Sequence, residues 1–355
     1  MPVKKKSTKK TAINHTRSSP LIDQELYGFE KIEEFLKKLW LEKKFHHALL
    51  IDGKKGIGKA SFAIKLSSKL ICCNTDKSHN YHSLNSSQYL NHPDILLIQK
   101  DDGKREIGVD KIRKITNFIN HSSAISEAKF IIIDAADELN KSSSNALLKI
   151  LEEPLANNFL LLISHNLNKI LPTIKSRCSL VRIGNLSFED FKKVLNKKLA
   201  NQIPNDKEVE FLSLVSQNSP ATALNFISDA SDIYQQLLAS ILDKKIDQRL
   251  LKKISEKPLD KGDETLDQQD ILSQIIHFFL KRLVFFLNKK IDSFYHDEER
   301  VFTQFSRKIK FQKDLDRIFA LNDQIIDLLN KSQYLNLDKK LTFTNIFNLI
   351  CIKLA

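Results

Sequence analysis

A lysine closing a glycine-rich run is the first chemistry this sequence offers. Gly53-Lys-Lys-Gly56-Ile-Gly58-Lys59 is followed by Ala60 and Ser61. Glycines let successive backbone amides turn toward a phosphate chain. A helix starting at the lysine adds its positive N-terminal dipole, and the Lys59 amine can reach β- and γ-phosphates. Further along, the apolar run Phe130 to Ile133 ends in Asp134. That acid stands where a strand buried on both faces would leave a parallel sheet, at the edge where such sheets bind ligands. Loop and acid are two halves of a nucleotide site. Its expected binding residues are Gly53, Gly56, Gly58, Lys59, Ala60, Ser61 and Asp134, and its expected occupant is ATP or ADP.

Two departures shape that expectation. A full phosphate loop has Ser or Thr directly after its lysine to hold Mg²⁺, and here the position is Ala60. Ser61 lies about 100° further round a helix and should not substitute, so magnesium stays open. Asp134 is followed by Ala135 and Ala136, where hydrolysing sites of this kind usually carry a water-activating glutamate. Phosphoryl transfer depends on positioning metal and water. The loop is therefore expected to hold nucleotide yet be poorly equipped to cleave it.

The elements that must position these residues follow from apolar spacing. Ala48 to Ile51 reads as the strand entering the loop, and Phe62, Ile64, Leu66 and Leu70 mark the helix leaving it. Before that strand, Ile32, Phe35, Leu36, Leu39 and Trp40 have helical period from Gly28 onward. Ile95–Ile98, Phe159–Ile163 and Leu180–Ile183 read as further strands, with a helix at Val109, Ile112, Ile115, Phe118 and Ile119. Leu147, Ile150 and Leu151 predict another helix, beginning after a polar break from Asn140 to Ser144 and ended by Pro154. Strands alternating with helices predict an α/β, three-layer αβα domain with a parallel sheet. Residues 74–93, polar and rich in Asn, Ser and His, read as an insertion loop.

Beyond Asn185 only helices are expected. Ser187 and Asp190 resemble a capping box. Helices follow at about Lys207–Val215 and around Ala223–Ile227, then at Ile271–Leu287, Phe311–Leu329 and Phe343–Leu354. Lys252 to Gln268, with Pro258, Gly262 and many charges, reads as a flexible connection. The pairs Phe278/Phe279 and Phe285/Phe286 have helical spacing and are read as core or subunit contact rather than a base-stacking platform.

Composition limits the function classes. A chain of 355 residues suits two or three domains. With 56 Lys plus Arg against 43 Asp plus Glu the net charge is +13, which favours an acidic partner such as nucleic acid. Lys4, Lys5, Lys6, Lys9, Lys10 and Arg17, with no acid among residues 1–20, supply six of those charges. This tail reads as a disordered solubilising arm, with a DNA-binding arm as the alternative, and it lacks the apolar core of a secretory signal. Cys72, Cys73, Cys178 and Cys351 are too few and too poorly spaced for a disulfide framework, which points to a reducing cytoplasm. Cys72 and Cys73 with His79 and His82 invite a zinc site, but no CxxC occurs and no metal is expected. Ile275–Leu287 is interrupted by Lys281 and Arg282, so no membrane span is expected.

Taken in order, HALLIDGKKGIGKAS, HPD, IIIDAADELNKSSSNALLKILEEP and LPTIKSRC resemble the bacterial clamp-loader family of DNA polymerase III, densely from about residue 26 to 180. The later LNLD, Leu335 to Asp338, is similar to that family's collar region. The resemblance implies an AAA+ P-loop module over residues 21–184, a small helical lid over 185–245 and a helical collar over 246–355 that joins a ring of five subunits. It implies that Arg177 of SRC acts in trans, as an arginine finger on ATP held by a neighbouring gamma or tau subunit. ATP-cleaving members also carry a lid arginine in a GSxRxA phrase, and here Asn218-Ser-Pro-Ala221-Thr-Ala223 has Ala221 at that place. The zinc module of many relatives would fall near residues 72–90, where its four-cysteine spacing is absent. The implied partners are the gamma/tau and delta subunits, the sliding clamp, and primed DNA through the assembled complex. The reading is a largely non-hydrolytic stator. Its alternatives are a gamma/tau-like motor ATPase and an initiator-type DNA-binding AAA+ protein, though no basic recognition helix is evident after residue 185.

Overall fold

Five short apolar runs pair in parallel as one sheet in the computed structural model. The structure describes residues 26–72, 92–199 apart from 102, 105, 122 and 124, then 205–227, 230–255, 268–288, 294–307, 312–335 and 337–354. The basic tail, most of the expected insertion loop with Cys73, His79 and His82, and residues 256–267 of the expected connection lie outside the described residues. The strands are β1 (Ala48–Asp52), β2 (Ile95–Ile98), β3 (Lys129–Ile133), β4 (Asn158–Ser164) and β5 (Ser179–Arg182), in the spatial order β2-β3-β4-β1-β5. The expected parallel α/β sheet is thus present. Helix α1 (Glu30–Leu41) precedes β1, and α2 (Lys59–Cys72), α3 (Val109–Asn120), α4 (Lys141–Glu152) and the single turn α5 (Pro172–Lys175) connect the strands.

Alternation along the strands makes three layers. Leu49, Ile51, Phe130, Ile132, Leu161 and Ile163 face one side with Leu36 of α1 and Phe62 and Leu66 of α2. Their neighbours Leu50, Ile131, Ile133, Leu160 and Leu162 face the other, with Ile112 and Ile115 of α3 and Leu147 and Ile150 of α4. β1, β3 and β4 show no polar alternation because both their faces are covered, whereas the edge strand β5 is largely exposed. Each such side chain contributes roughly 1.5–3 kcal/mol of burial. Trp40 pins α1 to the sheet, its ring centroid 4.9 Å from Phe159 and 5.6 Å from Phe130.

Polar residues set the ends of these elements. Buried Asp94 of the HPD phrase accepts from Ile125 N, Ser126 N and Ser126 Oγ, fixing the turn that feeds β3. The Lys129 amine donates to Phe118 O and His121 O at the end of α3, where helix carbonyls lack partners. The polar break expected from Asn140 to Ser144 is instead the start of α4. Asn140 Oδ1 accepts from Ser143 N at 2.9 Å as an N-cap, so the break belongs to the helix's first turn.

After β5 the described chain is helical: α6 (Phe188–Leu199), α7 (Asp206–Ser216), α8 (Pro220–Phe226), α9 (Ala230–Asp243), α10 (Gln248–Ser255), α11 (Gln268–Leu287), α12 (His296–Ser306), α13 (Gln312–Leu335) and α14 (Lys339–Leu354). Ser187 caps α6, accepting from Asp190 N at 3.0 Å. The expected flexible stretch from Lys252 begins inside α10, which rests Leu250 in the core. Three elements here are fastened by a buried ion pair: Arg282 of α11 grips Glu298 of α12 (Nε–Oε1 2.5 Å, Nη2–Oε2 2.9 Å), and Tyr234 of α9 donates its hydroxyl to the same carboxylate. Among the described residues no helix is long and apolar enough to cross a membrane.

Candidate functional site

Three strand ends meet at one edge of the sheet. Asp52 of β1 lies opposite Ser164 of β4, and Asp134 follows β3 two strands away. From β1 the chain enters the glycine loop, and Gly53 N donates to Ser164 O at 3.3 Å. Gly56 and Gly58 take φ of +82° and +100°, open to glycine at little cost. A Cβ at Gly56 would also stand 2.5 Å from Ser219 Oγ, so a second element presses on the loop.

Lys59 opens α2 with 3% of its surface exposed. Its amine donates to Gly53 O at 2.7 Å and to Lys54 O at 2.6 Å, turned into the loop that would cradle phosphate. Burial pulls its pKa down to about 8, while the charges of Asp134, Asp52 and Asp137 act in the opposite direction. Holding a phosphate would exchange two carbonyls for an anion. There the ammonium would meet an opposite charge, which the two carbonyls do not supply. Ala60, half-buried, packs its methyl against the core and offers no oxygen to a metal. Ser61 is buried and lines a cavity of about 60 Å³ with Leu26, Tyr27, Ile57, Leu186 and Val194. That apolar space beside the loop would suit the flat face of a base.

Asp134 is engaged by Gln99, whose Nε2 donates to Oδ2 at 3.0 Å. The next residue, Ala135, has φ +64° and leads into a short 3-10 turn, Ala136–Glu138. Asp137 of that turn accepts from His165 N at 2.9 Å. Burial, then the charge of Lys59, hold the His165 ring's pKa down to about 3. The ring is therefore neutral in the folded chain at neutral pH. Because the folded value lies below the ordinary 6.5, the stability it contributes is fully present above pH 6.5 and is lost as pH falls toward 3. The urea midpoint is expected to fall between pH 6.5 and 4, and His165→Asn should flatten that slope.

The end of α7 and the start of α8 form a clasp over the loop. Lys54 Nζ donates to Ser216 O (2.9 Å) and Gln217 Oε1 (2.8 Å), Ser219 Oγ donates to Lys55 O (2.9 Å), and Ala221 N donates to Gly56 O (3.3 Å). Ala221, where the resemblance would place an arginine, thus sits against the loop through its backbone N–H, with its methyl close to Gly56.

Arg177 is elsewhere. It follows α5 and precedes β5, and Ser179 of β5 pairs with Leu49 while Arg182 pairs with Asp52. The loop is at the C-terminal end of that parallel pair and Arg177 precedes its N-terminal end. At about 3.3 Å per residue the separation is on the order of 15 Å, beyond the reach of the side chain. The guanidinium bonds to Glu152 Oε1 (2.9 Å), the last residue of α4, and to Thr173 O (3.0 Å). More than a third of its side chain is exposed.

Gly53, Gly56, Gly58, Lys59 and Asp134 therefore converge, Ala60 and Ser61 flank them, and Arg177 stands apart. Sequence reasoning missed Gln99, Asp137, Lys54, Ser219 and Glu152 in their present roles. Of these, Gln99 carried a usable signal, since it directly follows the strand Ile95–Ile98 and so must reach the same sheet edge.

A profile described as "DNA polymerase III, delta subunit" matches residues 28–187, the segment just built. Over that segment the chain is similar to clamp-loader subunits of DNA polymerase III. It is 35% identical over 135 residues to DNA polymerase III subunit delta' of Pseudomonas aeruginosa, covering 37% of this chain and 41% of that one. To the delta' subunit of Buchnera aphidicola subsp. Schizaphis graminum it is 36% identical over 220 residues, 59% of this chain and 65% of the relative. The chain thus spans less than two thirds of the length of either relative. A gamma subunit-related protein of DNA polymerase III from Thermotoga maritima superposes with TM-score 0.43 at 21% identity, over 92% of this chain and 100% of that one. For a clamp-loader relative, glycine loop, Asp134 and Arg177 all fall inside the matched segment.

Proposed function

We propose that this chain is a delta-prime-type subunit of the DNA polymerase III clamp loader, a largely non-hydrolytic stator that helps load the sliding clamp onto primed DNA. Residues 21–184 form its AAA+ module, 185–245 its lid and 246–355 the collar through which it meets gamma/tau and delta subunits. Arg177 serves as an arginine finger for ATP held by a neighbour. The observation that carries this reading is the separation of the two cations. Arg177 sits at the end of β5 remote from its own loop and exposes its guanidinium, so any phosphate it neutralises belongs to another molecule. A guanidinium fork offers paired donors to the charge spread over a transferring phosphoryl group.

The chain's own loop supports the same reading. Gly53, Gly56, Gly58, Lys59 and Ser61 would hold ATP or ADP, with Asp134 at the sheet edge. The groups that complete hydrolysis in such sites are alanines at 60, 135 and 221. A gamma/tau-like motor is the competing reading, favoured by the intact lysine. Phosphate release by the purified chain with ATP, Mg²⁺ and primed DNA separates the two. The rate is expected to stay at the background of a Lys59→Ala variant, whereas brisk DNA-stimulated turnover would make this chain a motor.

A further inference from the structure

The finger is not a free side chain. Arg177 Nη2 is 2.9 Å from Glu152 Oε1 and Nη1 donates to Thr173 O at 3.0 Å, with Ser176 Oγ a longer 3.4 Å away. Glu152 ends α4, which is anchored at its other end by the Asn140 cap and by Ser143 Oγ donating to Ile107 O at 2.7 Å. Thr173 belongs to α5, held by buried Ile174. Two rigid elements thus hold the guanidinium from different directions, and its five N–H donors exceed those three contacts. Exposed apolar residues flank the pair in sequence: Leu155 (47% exposed) follows Glu152 by three positions, and Leu171 (36%) caps α5. A partner covering them would remove water from the pair and strengthen it.

We propose that Glu152 is the positioning residue of the finger. It fixes one edge of the Arg177 guanidinium through Nη2 so that the remaining donors face outward, toward the terminal phosphate of a nucleotide on the adjoining subunit. This rests on the trans role of Arg177. An exposed pair of this kind adds little to folding, so the carboxylate's contribution lies in pre-orienting the long arginine side chain before the neighbour docks. Misplacing a catalytic cation by about 1 Å can cost up to 10²-fold.

The test uses the ring rebuilt from this chain and its gamma- and delta-type subunits, with ATP and primed DNA. Glu152→Ala is expected to lower kcat for ATP roughly five- to tenfold with KM unchanged, and to leave the chain's melting midpoint where it was. Glu152→Gln, whose amide oxygen still accepts from Nη2, should recover most of the rate. In an Arg177→Ala background Glu152→Ala should change nothing further. An unchanged or higher rate for Glu152→Ala beside a large Arg177→Ala loss overturns the positioning role alone. So does an equal further loss in the Arg177→Ala background, since Glu152 would then act through something else. No loss on Arg177→Ala overturns the trans role as well.

Discussion

Rebuilding the clamp-loader ring with an Arg177→Ala chain is expected to slow single-turnover hydrolysis of the ATP it serves by about 10³-fold or more, the range in which arginine fingers act. The chain itself should fold as before. More than a third of its side chain is exposed, its partner Glu152 is exposed, and loss of such a pair costs under ~1 kcal/mol. The expected size follows from chemistry. As the terminal phosphoryl group departs, negative charge spreads over its oxygens, and a fixed guanidinium meets that charge without reorganising solvent. Arg177→Lys should recover only part of the rate, because a single ammonium cannot reproduce the planar fork.

Glu298→Ala should cost about 3–5 kcal/mol of stability, read as a lower urea midpoint. Glu298 is fully buried and accepts from Arg282, from the Tyr234 hydroxyl and from Phe294 N at 2.5 Å. Arg282 also stacks over Phe294, 4.3 Å from its ring centroid, and is itself nearly buried. Removing the carboxylate strands a guanidinium, a hydroxyl and an amide inside the helical core. In the wild-type chain burial, then the adjacent Glu298 charge, hold the Tyr234 hydroxyl well above its ordinary pKa, so it donates to the carboxylate as a neutral group. Removing both charges, as Glu298→Met with Arg282→Met, should recover much of the loss, because the penalty lies in the unpaired charge. The expected damage is to the fastening of α9, α11 and α12.

What the sequence made legible tracks how locally each feature is determined. Ile131 to Ile133 and Leu160 to Ile163 announce strands because both faces are covered and every residue is apolar. Gly56, Gly58 and Lys59 announce a loop because conformational demand and charge are concentrated in one short run. The start of α4 was less legible, since Lys141, Ser143 and Ser144 are equally at home in a loop and only the Asn140 cap decides. α12 was hidden among its charges, His296 to Arg300, and its apolar residues Val301, Phe302 and Phe305 find their meaning only against α9 and α11. The clasp of Lys54 on Ser216 and Gln217, and of Ser219 on Lys55, joins residues more than 160 positions apart. No local spacing encodes it. Glu152 was in view as the end of α4 before Pro154, but its bond to Arg177 depends on how α4 and α5 pack.

The central claim is that the ring needs this chain's exposed guanidinium and not its phosphate loop. A direct measurement compares single-turnover ATP hydrolysis in rings rebuilt with the Arg177→Ala chain and with the Lys59→Ala chain, each beside wild-type neighbours. The account predicts that the first ring loses most of the hydrolysis at the served site while the second keeps a rate within about twofold of wild type, a difference under ~0.5 kcal/mol. A ring that tolerates Arg177→Ala and fails with Lys59→Ala would contradict it.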